Sequence, residues 1–436
     1  MALSRRTLLG LAAGVPASAA LAACGSPGPG KSGSGTTYWY LNGQPQEGVR
    51  AGAVEAFNKA HSKEQIEDFT FQNDAYKTKI KTAIGAGKAP TLIWGWGGGT
   101  LRTYVKAGQV EDLTSWFGEH PEVKKRLLPS SFAAATVDGK IYAMPCETVQ
   151  PIILYYNRKV FEQVGVRPPK SWDDIMALVP KFNAKGIAPF SLGGQSQWTN
   201  MMWLEFLFDR IGGPELFQAV IEGEKNAWSH PDAITALTKV QELVRAHGFI
   251  KGFSSITADS NADQALLYTG RAAMMLHGAW SYGIQQARGG DFVPSGALGY
   301  MNFPPVEGGK GDPGNTVGNP AQYLSISSKA GAKQKKVAKD YLATGVLQDA
   351  EVKRWIDNGS VPIRLGTEKL LAASKSADFL QFTYDIATKA KVFGQSWDQA
   401  LTPTPAAAML DNIVKLFQLS ISPKQFASNL NAVTGT

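Results

Sequence analysis

Hydrophobic and polar positions repeat with two periods in this chain, and the order of those periods lays out its elements. Thr37-Tyr38-Trp39-Tyr40-Leu41 is aromatic and β-branched and stops at Asn42-Gly43, which predicts a strand and a turn. Val49, Ala53, Ala56, Phe57 and Ala60 then recur at helical spacing. Residues 68–71 read as a second strand, and Tyr76, Ile80, Ala83 and Ile84 as one face of a second helix. A third strand over 91–94 runs into Gly95-Trp96-Gly97-Gly98-Gly99. Strand and helix alternating at this pace predict a parallel sheet covered by helices.

Beyond residue 100, where another helix opens, 137–141 reads as a hairpin. Residues 142–147 and 152–156 form one long extended passage, expected to be a first crossing between two lobes. Ser171 to Asp174 is a capping box ahead of the apolar face Ile175, Leu178, Val179 and Phe182. Helices are expected over 201–211, 232–247 and 263–268, and a buried strand over 272–276 that ends at His277-Gly278-Ala279-Trp280. The Gly- and Pro-rich stretch 302–319 marks a loop and a return, 324–326 a strand, 332–343 and 352–357 helices, and 361–364 a last crossing. Leu410, Ile413, Val414 and Phe417 share one face near the end, and Ser422-Pro423-Lys424-Gln425 caps a terminal helix.

The first residues follow neither period. Arg5 and Arg6 precede an apolar run, 8–22, broken by Gly14 and Pro16 and shorter than the roughly 20 residues of a membrane-spanning helix. With Leu21-Ala22-Ala23-Cys24-Gly25 at its end, this stretch reads as an export signal. It resembles a bacterial lipoprotein signal, which implies cleavage after residue 23, lipid on Cys24 and a surface-held domain. Residues 24–36, rich in Gly, Ser and Pro, cannot bury enough apolar surface to fold and are expected to be a tether.

At 436 residues with 44% hydrophobic and 18% charged side chains, the chain is expected to form two lobes. A net charge of +8 is modest for this size, and the densest group, Lys333, Lys335, Lys336 and Lys339, has the spacing of a solvated helix face. Nucleic acid is therefore not expected as a partner. The two cysteines, Cys24 and Cys146, leave no disulfide if Cys24 is acylated, and five scattered histidines give no metal-ligand spacing. No metal or cofactor is expected. What stands out is the aromatic content: 11 Trp, 13 Tyr and 20 Phe.

Several motifs in series carry a resemblance: Phe57-Asn58-Lys59, the 90–94 strand, Asp138-Gly139-Lys140-Ile141-Tyr142-Ala143-Met144-Pro145, Tyr155-Tyr156-Asn157-Arg158, and 273–280 ending in Trp280. Together they resemble the extracellular solute-binding proteins that serve sugar importers. More narrowly, Tyr40-Leu41-Asn42-Gly43-Gln44, the 94–99 run, Leu192-Gly193-Gly194-Gln195-Ser196 and Gly318-Asn319-Pro320 are similar to binding proteins for xylobiose and other xylo-oligosaccharides. The resemblance implies an α/β, two-lobed, periplasmic-binding-protein-like fold of type II, with a ligand cleft between lobes joined by hinge strands. Its lobes would be 37–147 plus 322–362 and 150–316 plus 366–436. It also implies a monomer that binds an oligosaccharide, closes by hinge bending and docks on ABC permease subunits outside the cell. Cello-, malto- and chito-oligosaccharides stay open as ligands.

A pyranose has an apolar C–H face and a belt of hydroxyls, so its site needs flat aromatic surfaces with amides and carboxylates around them. Trp96, Trp198, Trp280 and Trp397 sit beside Gly, Asn, Gln or Ser at the ends of predicted elements and are the stacking candidates. The polar candidates are Asn42, Gln44, Gln46, Asp74, Glu147, Gln150, Asn200, Asn319, Gln322 and Arg364. Asp74 also suits an N-cap, Arg364 could pair with an acid, Cys146 reads as a small buried residue and His277 as a satisfied structural histidine. The rival from another class is a surface-anchored glycoside hydrolase. That chemistry needs two carboxyl groups about 5–9.5 Å apart, and only Glu147 stands in a plausible cleft position.

Overall fold

A computed structural model describes residues 35–434; the stretch read as an export signal, Cys24 and all but the last two residues of the tether expected over 24–36 lie outside the described residues. The first strand, β1 (Thr36–Leu41), lies between β2 (Ile66–Phe71) and β3 (Leu92–Gly95), parallel to both. Three helices, α1 (Gln46–Ala60), α2 (Asn73–Gly85) and α3 (Gly98–Lys106), follow these strands in turn. The apolar face anticipated for α1 is buried at Val49, Ala53 and Phe57, and that of α2 at Tyr76, Ile80 and Ile84.

Later segments complete this sheet. Strands β4 (Met144–Cys146) and β10 (Gln322–Ile326) give the order β2-β1-β3-β10-β4, with β10 antiparallel to both neighbours. β4 therefore runs in the same direction as β1 to β3, and β10 alone opposes the other four strands.

A second sheet is centred on β5 (Gln150–Asn157), flanked by β7 (Ala272–Gly278) with β6 (Ala188–Ser191) beyond it, and by β9 (Thr316–Asn319) with β11 (Phe393–Gln395) beyond it. A further strand, β8 (Leu298–Met301), pairs with the far end of β5. The residues 201–211 begin a longer helix, Trp198–Glu222, interrupted at Gly213, whose φ of 78° breaks the helix just before Pro214. Each sheet has its own hydrophobic core, one around Tyr40, Trp94 and Trp355, the other around Phe190, Trp203 and Trp228.

Two short passages lead from sheet to sheet, from β4 to β5 through Glu147 and from β9 to β10 through Pro320. Val361 and Ile363 run beside the first passage: Val149 N donates to Val361 O, and Ile363 N to Glu147 O. The glycine run after β3 serves a close approach. A Cβ at Gly99 would lie 2.1 Å from Leu401 O, and one at Gly98 would lie 2.6 Å from both the Gln395 side chain and Gln399 O. Only glycine lets the start of α3 sit this close to the other lobe.

Candidate functional site

The two sheets and their loops enclose a cavity of about 190 Å³. Its wall on the first sheet is built by Asn42 and Gln44, between β1 and α1, by Gln46 at the start of α1, and by Trp94 and Trp96 at the end of β3. Loops at the carboxyl ends of parallel strands are where open α/β sheets take ligands. The facing wall carries Gln150, Trp198, Gln264, His277, Trp280 and Asn319.

Aromatic rings dominate both walls. Trp94 and Trp96 lie edge to face with centroids 4.6 Å apart, and Lys77 Nζ sits 5.1 Å over the Trp96 ring. Opposite them, the Trp198 and Trp280 rings are 6.0 Å apart, each 5.3 Å from His277. Gly278 makes this possible, since a Cβ there would lie 1.8 Å from the Trp280 ring. Gln46 Nε2 reaches across the cavity and donates to Trp280 O at 3.1 Å.

Eight of the fourteen residues proposed from sequence line this cavity: Asn42, Gln44, Gln46, Trp96, Gln150, Trp198, Trp280 and Asn319. The other six lie off its wall. Trp397 is fully buried among Phe208, Phe217 and Trp228, with ring centroids 4.9–5.2 Å away. Its backbone N–H is held by the buried Glu205, whose carboxyl burial pushes up to about 8. The short helix Trp397–Ala400 turns the indole inward and leaves Ser396, Asp398 and Gln399 on the cavity side. Arg364 is paired with Asp349 at 2.6 Å and donates to Leu347 O. Gln322 and Asn200 are buried and engage backbone, the first accepting from Thr148 N, the second donating to Gly194 O.

Asp74 sits in the first turn of α2, where Gln72 and not Asp74 takes the N-cap position. It marks instead a point where the lobes meet, its N–H donating to Asp259 Oδ2 at 3.2 Å. Burial, and then the Asp259 carboxylate, raise the Asp74 carboxyl above its ordinary value. A second cross-cavity contact pairs Lys77 Nζ with Asp398 Oδ2 at 2.8 Å.

Glu147 does not face the cavity as a free carboxylate. Its two oxygens accept from Arg50 Nε and Nη2 at 2.8 Å each, and Oε1 also accepts from Trp94 Nε1 at 2.6 Å. Burial opposes the Arg50 charge, but attraction and hydrogen bonds from Glu147 outweigh it and raise the guanidinium further. Glu147 has φ of 61° at the passage between sheets, a conformation unusual for a side-chain-bearing residue. Cys146 beside it is buried and free, its thiol pushed well up by burial.

Sequence reasoning missed Arg50, Gln264, Asp259 and Asp398 on the cavity wall and took His277 as purely structural. Arg50 occupies a helical position next to Val49, and its partner is 97 residues away. No local signal marks such a pair. Gln264 belongs to the expected helix, observed as Ala262–Tyr268, but only its tertiary setting turns it toward the cavity.

Residues 42–346 match the family model described as bacterial extracellular solute-binding protein. An uncharacterized ABC transporter extracellular-binding protein of Pyrococcus horikoshii is 28% identical over 220 residues, covering 49% of this chain and 47% of its own length. The chain spans about half the length of the two curated relatives it matches in that organism. Among solved structures, a chain from work on xylan utilization by the thermophilic bacterium Caldanaerobius polysaccharolyticus is similar with a TM-score of 0.80 at 28% identity. That likeness covers 91% of this chain and 99% of the other. A chitin oligosaccharide binding protein shares the fold with a TM-score of 0.80 at 21% identity, over 92% of this chain and 98% of its own. No helix among the described residues is long and apolar enough to cross a membrane.

Proposed function

The chain belongs to the bacterial extracellular solute-binding proteins, and from that membership we propose that it captures an oligosaccharide for an ATP-driven importer. The observation that carries the reading is the cavity wall: indoles of Trp96, Trp198 and Trp280 alternating with the amides of Gln44, Gln46, Gln150 and Asn319. Flat apolar faces beside groups that both donate and accept are the complement of a pyranose. Xylobiose or a short xylo-oligosaccharide is the ligand we favour. Support comes from the 28% identity, over nearly the full length of both chains, to the structure from the xylan-utilization work.

In this reading the sugar is held by one lobe, and the hinge strands at 146–150, 317–322 and 361–364 bend until the other lobe covers it. The lobes are 37–147 with 322–362 and 150–316 with 366–436. Closure is a population shift driven by the contacts that the closed form adds. Gln46 to Trp280 O and Lys77 to Asp398 are contacts of that kind. Lipid on Cys24 would keep the monomer beside its permease on the outer face of the membrane.

Hydrolysis is disfavoured because Glu147, the carboxylate that a hydrolase reading needs, has both oxygens taken by Arg50 and Trp94. Calorimetric titration with xylobiose, cellobiose, maltose, chitobiose and xylose tests the ligand. Tightest binding of xylobiose is expected, and binding of maltose without xylobiose would refute the narrow choice. Release of xylose on incubation of the protein with xylotriose would overturn the binding role.

A further inference from the structure

Four buried polar atoms of cavity-lining residues make no hydrogen bond: Trp198 Nε1, Gln264 Oε1, His277 Nε2 and Asn319 Oδ1. All four belong to the lobe built on the second sheet. On the opposite wall, Trp94 Nε1 is already paired with Glu147. A buried polar atom without a partner costs about 1–3 kcal/mol, so several on one cavity wall mark where a ligand completes the bonding.

His277 shows how the set is oriented. Its Nδ1 accepts the Gly278 N–H at 3.0 Å and lies 2.5 Å from Ser281 Oγ, which leaves Nε2 as the ring nitrogen that carries an N–H. Asp263 Oδ2, buried and 3.4 Å from Nε2, favours the proton there without closing a hydrogen bond. The Gln264 amide is fixed in the other sense: Nε2 donates to Asn261 Oδ1 at 2.9 Å, which leaves Oε1 free to accept. Gln264 is 0% exposed and His277 2%, so neither can turn to water.

Resting on the reading of the cavity as a sugar site, the geometry points to a hydroxyl-reading notch formed by His277, Gln264 and Trp198. His277 Nε2–H and Trp198 Nε1–H donate to hydroxyls of a ring held against Trp198 and Trp280, and Gln264 Oε1 accepts from one. Asp263 and Ser281 are positioning residues that act through His277. A hydroxyl donates and accepts at once, whereas a carboxylate only accepts and would meet the lone pairs of Gln264 Oε1. The notch therefore takes a neutral sugar ring and not a uronate, and it makes the second lobe the one that reads the ligand's hydroxyl pattern.

Titration calorimetry of xylobiose into the purified wild type and Gln264→Leu tests this, with melting curves of both ligand-free proteins. The notch predicts a Kd at least about tenfold higher in the variant, with a melting temperature within a few degrees of wild type. A structural role would lower the melting temperature and leave the Kd. If Gln264→Leu does not fold, Trp198→Phe keeps a flat ring, removes one donor and is expected to raise the Kd as well. Binding within twofold of wild type in the folded variant overturns the notch alone. If the wild type binds none of xylobiose, cellobiose, maltose and chitobiose, the sugar reading fails and the notch falls with it.

Discussion

Replacing Glu147 with alanine should destabilise the protein more than any exposed acid would. Glu147 is 3% exposed and Arg50 6%, and three donors converge on the carboxylate at 2.6–2.8 Å. Removing it leaves a guanidinium buried between the Tyr40, Trp94 and Trp355 rings, with only its bond to Leu41 O remaining. Stripping one partner from a buried ion pair costs about 3–5 kcal/mol. An unfolding entropy of about 2.1 cal/mol/K per residue over about 400 residues gives roughly 0.8 kcal/mol/K. The loss then corresponds to a melting temperature about 4–6 °C lower in one cooperative transition. Calorimetric melting of wild type, Glu147→Ala, Arg50→Met and the double variant would measure it. Removal of both charges should cost clearly less than the sum of the single losses, since neither is then left unpaired. A Glu147→Ala protein that melts within about 1 °C of wild type, or strict additivity in the cycle, would refute the assignment of Glu147 to a buried ion pair with Arg50.

Other outcomes follow from the same geometry. Trp280→Ala should raise the sugar Kd at least about tenfold by removing a stacking face, with little change in melting temperature. Trp397→Ala should do the reverse, costing about 3–5 kcal/mol of stability because it empties a site in the core, as thermal denaturation would show. The contact of Asp74 with Asp259 gives a pH dependence. With the two acids together, burial and then Asp259 raise the Asp74 carboxyl above its ordinary 3.8, so this arrangement holds that proton more tightly than a form with the two acids apart. Sugar binding should therefore tighten as pH falls from neutral toward that range and level off below it. Calorimetry at several pH values would show the trend, and Asp74→Asn should flatten it.

The elements were legible because each lobe hides its apolar surface in a regular way. Strands β1 to β3 read as strands, and the buried faces of α1 and α2 fell at Val49, Ala53 and Phe57 and at Tyr76, Ile80 and Ile84, while Ala56 and Ala60 of the expected α1 face stay exposed. The antiparallel return of β10 was not legible, since strand direction is set by where the chain comes from and not by its pattern. The cavity was legible where a residue sits in a loop after a strand, as Asn42, Gln44 and Trp96 do. Trp198 and Trp397 show the limit. Both begin a helix beside polar residues, yet one helix presents its indole to the cavity and the other drives it into the core. Arg50 with Glu147, and Gln264 with His277, depend on partners brought together only by the fold.

A co-crystal structure with xylobiose tests the central claim most directly. The account predicts the disaccharide between the two walls, a ring against Trp198 and Trp280, hydroxyls within hydrogen-bond reach of Gln264 and His277, and Trp96 on the opposite side. Sugar bound elsewhere on the surface, with this cavity empty at saturating concentration, would contradict it.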